Sequence, residues 1–177
     1  MTNHRTDEYG GSLENRLRAA REILEGIKQE YGSDFPVSMR LGLKTFVKGF
    51  EQASLTGEEE IGRTLEEGIA IAKLLESYGY DCLNVDTGIY DSFYYACPPM
   101  YMPKGYLVEL AAKAKEAVNI PILAGGRMNE AYIAEKAIRD GKIDAVVLGR
   151  AALADPEYPN KVLTGHTEKI RPCIACN

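Results

Sequence analysis

Two glycine–arginine pairs and one spaced cysteine pair stand out among the 177 residues as groups able to do chemistry together. Gly125-Gly126-Arg127 closes the apolar run at residues 120–124, and Gly149-Arg150 closes a second run at residues 145–148. Two neighbouring strands that each deliver Gly-Arg at the carboxyl end make an anion site. Glycine lets backbone N–H groups approach an oxygen closely, helix N-termini add favourable dipole ends, and arginine adds a charged, forked donor. The pattern predicts a phosphate cradle for a cofactor, although Gly125-Gly126 read alone equally suits a tight turn. Arg40, near the end of the apolar run 37–41, is a further candidate, with an ordinary strand-end salt bridge as its bland reading. Cys173 and Cys176 form a lone CxxC. Such a pair suits an iron–sulfur cluster, zinc or a redox couple, and four thiolates are usual for a cluster.

The elements that must position these groups alternate along the chain. Residues 1–11 are polar and read as a loop. Ser12 is a candidate N-cap, Leu13, Leu17, Ala20, Leu24, Ile27 and Tyr31 recur at helical spacing, and Gly32 is a stop signal. A strand is predicted at 37–41, then an irregular polar stretch at 42–57. A helix carries Ile61, Leu65, Ile69, Ala72 and Leu75, and a strand follows at 82–86. The connection from Thr87 to Gly105 is dense in tyrosine and proline, and a loop of that length is usually functional or disordered. Further helices carry Leu107 to Val118 and Ile133 to Ile138, separated by a strand at 121–124. Short apolar strands suit a parallel sheet covered by helices. The polar residues of interest (Arg40, Asp86, Gly125 to Arg127, Gly149, Arg150) all fall at carboxyl ends, the active face of a β/α barrel. About four strands are legible where such a barrel needs eight. The expected fold is therefore α/β, the C-terminal half of a (β/α)8 TIM barrel. An isolated half should pair through its open edge.

Net charge is −5, which disfavours nucleic acid as a partner. No run approaches a membrane span and no leader is legible, so no membrane partner is expected. The four cysteines then read as thiols or ligands, and a reducing cytoplasm is the simplest location.

The stretch Asn3-His4-Arg5-Thr6-Asp7-Glu8-Tyr9-Gly10-Gly11-Ser12-Leu13-Glu14-Asn15-Arg16 resembles a signature of the Old Yellow Enzyme family of flavin oxidoreductases. Gly149-Arg150 with Asp155-Pro156 is similar to the end of that family's barrel. The segments Tyr90 to Tyr95 and Pro98 to Tyr101 look like the 2-enoate reductase branch, and Cys173-Ile174-Ala175-Cys176-Asn177 is similar to the start of the iron–sulfur motif there and in 2,4-dienoyl-CoA reductases. The resemblance implies an FMN-binding half-barrel over residues 1–165 and the opening of a cluster motif over 166–177. It implies FMN contacts at Arg40, Gly125, Gly126, Arg127, Gly149 and Arg150, and 4Fe-4S ligands at Cys173 and Cys176. A complete protein of this kind would use NAD(P)H to reduce the C=C bond of a 2-enoate or enoyl thioester, a small-molecule alkene. The family's proton donor lies upstream, so no catalytic residue is assigned by motif. Ser92 and Cys97 stand where related reductases carry histidine. The alternative expectation is an inactive half-barrel that self-associates and at most binds phosphate or FMN. His4 and His166 read as solvated loop residues. The charged groups Arg5, Asp7, Glu14 and Arg16 read as a structural salt-bridge network.

Overall fold

The computed structural model describes residues 3–57 and 59–177. Four parallel strands form one sheet in the order β1 (Ser38–Lys44), β4 (Cys82–Thr87), β5 (Ile122–Ala124), β6 (Ala145–Val146). Between β1 and β4 a small antiparallel hairpin, β2 (Val47–Gly49) and β3 (Gln52–Ala53), occupies part of the stretch expected to be irregular. Helices α1 (Leu13–Arg16) and α2 (Arg18–Tyr31) precede the sheet, and α3 (Leu65–Tyr78) joins β1 to β4. The turn α4 (Phe93–Ala96) lies in the long connection, α5 (Val108–Lys115) leads to β5, and α6 (Ala131–Arg139) leads to β6. Two short helices follow, α7 (Arg150–Ala154) and α8 (Tyr158–Leu163). Among the described residues no helix is long and apolar enough to cross a membrane.

Local signals explain most boundaries. Ser12 Oγ accepts the Asn15 amide at 3.2 Å, the N-cap bond expected of it. The expected single helix is broken at Leu17, whose amide is shared between the carbonyls of Leu13 and Glu14. Helix α3 starts at Leu65 and not at Ile61. The Ile61 amide is already bonded to Val47 O at 2.9 Å, and Thr64 supplies the cap by accepting from Glu67 N. Gly68 on this helix has no room for a side chain, because an added Cβ would lie 1.9 Å from Leu43 O. Only glycine lets α3 settle this closely on β1.

The sheet has two different faces, whereas the sequence suggested short apolar strands in a sheet covered by helices. Leu41, Leu43, Leu83, Val85, Ile122 and Ala124 are buried beneath the helices together with Leu24, Ile71, Leu75, Leu107 and Ile143. The register places Arg40 beside Asn84, Gly42 beside Asp86, and Asn84 beside Leu123 on the other face. Side chains alternate across a strand, so one face builds the core and the other forms a half-exposed inner wall. Cys82 lies on that wall and is half-buried. The β1 and β6 ends of the sheet have no further strand among the described residues.

The amino-terminal stretch braces the fold. Arg5 pairs with Asp7, Asn15 Nδ2 donates to Gly10 O at 3.1 Å, and Arg16 reaches Glu67 on α3 at 2.7 Å. Of the local salt-bridge network expected from Arg5, Asp7, Glu14 and Arg16, the Arg5–Asp7 pair is present; Arg16 instead serves the α1–α3 contact, and Glu14 joins no ion pair among the described residues.

Candidate cofactor site

The parallel sheet lines one cavity of about 230 Å³ with Arg40 of β1, the carboxyl half of β4 and the segments that follow β5 and β6. Arg40 and Asp86 reach it from β1 and β4, Gly125 to Arg127 from the end of β5, and Gly149 with Arg150 from the segment after β6. The long connection contributes Ala96, Cys97, Pro98 and Tyr106, and the tail contributes Cys173 and Ala175. Every cofactor-contact candidate expected from the sequence therefore lines a single space. Cys173 joins them, half-buried, while Cys176 is exposed and lies outside the lining. Among the described residues no group of three or more His, Cys, Asp or Glu could hold a metal ion. His4 and His166 are exposed and outside the cavity.

Gly125 and Gly126 are there because of close approach, whereas an added Cβ on Gly149 would meet nothing within 4 Å. A Cβ on Gly125 would lie 2.9 Å from Val147 O, and one on Gly126 would lie 2.8 Å from the Tyr106 ring. Gly126 also has φ +84°, a region that disfavours other residues. Arg127 itself has φ +55°, a left-handed conformation uncommon for a long side chain. Strain of this kind persists where surrounding contacts impose it, and it gathers at functional sites. Here the contacts are visible: Arg127 Nη1 donates to Met100 O at 2.6 Å and also to Met102 O. Its Nε–H is buried with no hydrogen-bond partner among the described residues. An unpaired buried guanidinium donor is costly unless an acceptor meets it, and this one belongs to a residue that lines the cavity.

Arg150 is held in a comparable way. Its Nη2 donates to Pro98 O at 2.9 Å and its Nη1 to Asn177 Oδ1. Asn177 Nδ2 in turn donates to Cys97 O. Arg40 is 64% exposed at its side chain and grips one oxygen of Asp86, with Nε at 3.1 Å and Nη2 closer. Arg40 is not at the strand end expected from sequence, because β1 runs on to Lys44; it makes its salt bridge from the third residue of the strand, and that salt bridge lies in the cavity wall.

Tyr106 forms the floor beneath Gly126. Its hydroxyl donates to Tyr95 O and accepts from Thr87 Oγ1 at 2.9 Å. Burial pushes its pKa up to about 12, against a smaller lowering by the Thr87 hydrogen bond. Ser92, where some related reductases carry histidine, is fully buried and bonded to Thr45 O and to the Ile89 amide. It braces the loop and is not part of the cavity lining. Cys97 does line it. Sequence reasoning did not single out Tyr106, Asn84, Asn177 or the carbonyls of Pro98, Met100 and Met102. The tyrosine- and proline-dense composition of the loop was a signal for Pro98, Met100 and Met102, but not for Asn84 or Asn177, which lie outside it.

The fold and site define a class: a parallel β/α half-barrel whose carboxyl face gathers glycines and arginines around one cavity. The family model of NADH:flavin oxidoreductases and NADH oxidases matches residues 1–169, and the chain belongs to that family. It is 49% identical over 176 residues to a cinnamate reductase of Clostridium sporogenes, covering 98% of this chain and 26% of that protein. It is 43% identical to an NADH oxidase of Thermoanaerobacter brockii, covering 99% of this chain and 25% of that one. Among solved structures, a 2-naphthoyl-CoA reductase in complex with 2-naphthoyl-CoA superposes with a TM-score of 0.87 at 39% identity, over 99% of this chain and 25% of that chain. The chain thus spans about a quarter of the length of these relatives. An Old Yellow Enzyme homologue from Zymomonas mobilis matches in fold, with a TM-score of 0.63 over 93% of this chain and 41% of that one. The expected half-barrel and the expected family are both met.

Proposed function

We propose that this chain is the carboxyl-terminal half of an FMN-binding barrel in an NAD(P)H-dependent reductase of activated C=C bonds. The observation that carries the reading is the cavity in which Gly125, Gly126, Gly149, Arg127, Arg150 and Arg40 converge. The orphaned Nε–H of Arg127 and the backbone at Gly125 and Gly126, packed too closely for a side chain, suit a bound phosphate. The backbone N–H groups of Gly125, Gly126 and Gly149 would hold phosphate oxygens, with Arg127 and Arg150 balancing their charge. Arg40 would present positive charge to the flavin ring, where electrostatic stabilisation of a developing anion is most effective in a dry site. Asp86 aims that guanidinium by holding its Nε and Nη2 edge. FMN, when bound, supplies the hydride chemistry between a nicotinamide and the β-carbon of the alkene.

The substrate we infer is a 2-enoate or enoyl thioester, in keeping with the names of the cinnamate and naphthoyl-CoA reductases to which the chain is similar. Residues 1–165 form the half-barrel and residues 166–177 open a cluster-binding segment. Cys173 and Cys176 would supply two thiolates to a 4Fe-4S centre, and a complete set needs two more. The four free thiols suit a reducing, cytoplasmic location.

A second reading concerns the chain taken alone. With Arg40 64% exposed and the inner wall open, it meets only half of a barrel interior. A self-associating half-barrel with phosphate or FMN binding at most is the outcome expected if no second half is supplied.

The test is the visible spectrum of the protein in its full encoded length, purified without oxygen. Flavin absorbance that bleaches with NADH or NADPH and returns on adding cinnamate or an enoyl thioester is expected. Absence of flavin after reconstitution with FMN, or flavin that no alkene reoxidises, would overturn the assignment.

A further inference from the structure

Both arginines of the cradle are fastened to the same short segment of the long connection. Arg127 Nη1 donates to the carbonyls of Met100 and Met102, and Arg150 Nη2 donates to the carbonyl of Pro98. Asn177 closes the arrangement, accepting from Arg150 Nη1 and donating to Cys97 O, with Cys97 Sγ 3.4 Å from Asn177 Oδ1. Residues 97–102 therefore form a strap that enters the cavity wall at Cys97 and Pro98 and is tied to both arginines. It is held by backbone carbonyls that no side-chain pattern records.

A guanidinium has five N–H donors in a fixed plane. Donors turned to the strap fix the plane, and the plane decides where the remaining donors point. In Arg127 the remaining donors include the buried, unpartnered Nε–H. An anion that accepts from Nε–H and favours this plane favours the strap contacts made by Nη1 in the same plane. The left-handed backbone of Arg127 leaves the side chain few other ways to serve both.

Resting on the phosphate reading above, we infer that strap order and cofactor-phosphate occupancy are thermodynamically coupled through Arg127 and Arg150. Asn177 is then a positioning residue that acts through Arg150. Filling the phosphate site tightens residues 97–102, and releasing the strap weakens phosphate binding by the same factor, because coupling between two equilibria is reciprocal. The strap carries Cys97 and Pro98 into the cavity wall, so phosphate occupancy and order of that part of the wall rise together.

The experiment is hydrogen exchange on the full encoded protein, followed by mass spectrometry of the peptide spanning residues 96–106. It is read without flavin, with FMN, and with riboflavin, which has the ring and no phosphate. FMN should slow exchange there by about tenfold or more, the usual span of such couplings, and riboflavin should not. Asn177→Ala frees one end of the strap without touching the cavity lining. It should raise the FMN dissociation constant by the factor by which strap protection falls, while leaving riboflavin affinity unchanged. Arg127→Lys keeps the charge but loses the fork, and its FMN-loaded form should lack strap protection. Equal protection by riboflavin and FMN would overturn the inference, as would an unchanged FMN affinity in Asn177→Ala despite a loosened strap. If FMN fails to protect the peptides holding Gly125–Arg127 and Gly149–Arg150, the phosphate site itself is refuted and the coupling falls with it. Exchange in β4 and β5 reports separately whether each variant is folded.

Discussion

Replacing Gly126 with alanine should loosen the site from its floor. The new Cβ would sit 2.8 Å from the Tyr106 ring and 3.1 Å from Leu107 Cβ, on a backbone with φ +84°. An L residue in the left-handed region costs about 1–2 kcal/mol. The ring cannot swing away freely, because its hydroxyl is bonded to Tyr95 O and Thr87 Oγ1. Losing those two hydrogen bonds costs about 1–3 kcal/mol. The sum is about 2–5 kcal/mol. Gly141 provides the control: it has φ +71° and nothing within 4 Å of an added Cβ. Gly141→Ala should therefore cost only the backbone part, about 1–2 kcal/mol. Native-state hydrogen exchange at the amides of β4 and β5 measures both losses in the same units. The two variants should differ by about 1–3 kcal/mol, the hydrogen-bond part alone. FMN should also be held more weakly by Gly126→Ala than by Gly141→Ala. If the two variants lose stability equally, the close packing of Gly126 on Tyr106 is not what confines that position to glycine.

Two further predictions concern pH. Tyr106 holds its proton to about pH 12 in the fold, against about 10 when unfolded. The unfolded chain therefore releases the proton first, and stability present below pH 10 should fall between about pH 10 and 12. Tyr106→Phe should lack that component in melts taken across the range, and an identical alkaline slope in both proteins would refute it. Asp155 accepts from Lys161 Nζ at 2.6 Å, the Arg171 amide at 2.7 Å and the Glu157 amide at 3.1 Å. Those partners, Lys161 first, lower its pKa below the usual carboxylate range. The stability they contribute is full above that range and is lost as pH falls through the lowered value. Asp155→Asn at neutral pH should free the tail from Arg171 onward and speed alkylation of the half-buried Cys173, and acidification should lower the tail's protection in hydrogen exchange. An unchanged alkylation rate in Asp155→Asn together with unchanged tail exchange in acid would show that Asp155 does not anchor the tail.

Some of this molecule is written in short-range chemistry. Ser12 caps a helix because its hydroxyl reaches an amide three residues on, and Gly79 ends α3 at φ +102°. These depend on neighbours in the chain, so residue type and spacing suffice. The order of strands and helices and the gathering of Gly125, Gly126, Arg127, Gly149 and Arg150 at carboxyl ends were legible for the same reason: parallel β/α units all point one way. Where a signal had to outrank a competing contact, the sequence misled. Ile61 has helical spacing with Leu65, yet its amide belongs to Val47.

The sequence by itself determined the half-barrel, its family and the glycines and arginines that face one cavity. Only the tertiary structure decided what those residues touch. Arg127 and Arg150 grip the carbonyls of Pro98, Met100 and Met102, Asn177 bridges Arg150 to Cys97, and Arg40 turns to Asp86. The reason is physical. Every residue carries a carbonyl, so a carbonyl acceptor leaves no mark on residue type, and the choice among acceptors is made by distance after the chain has folded.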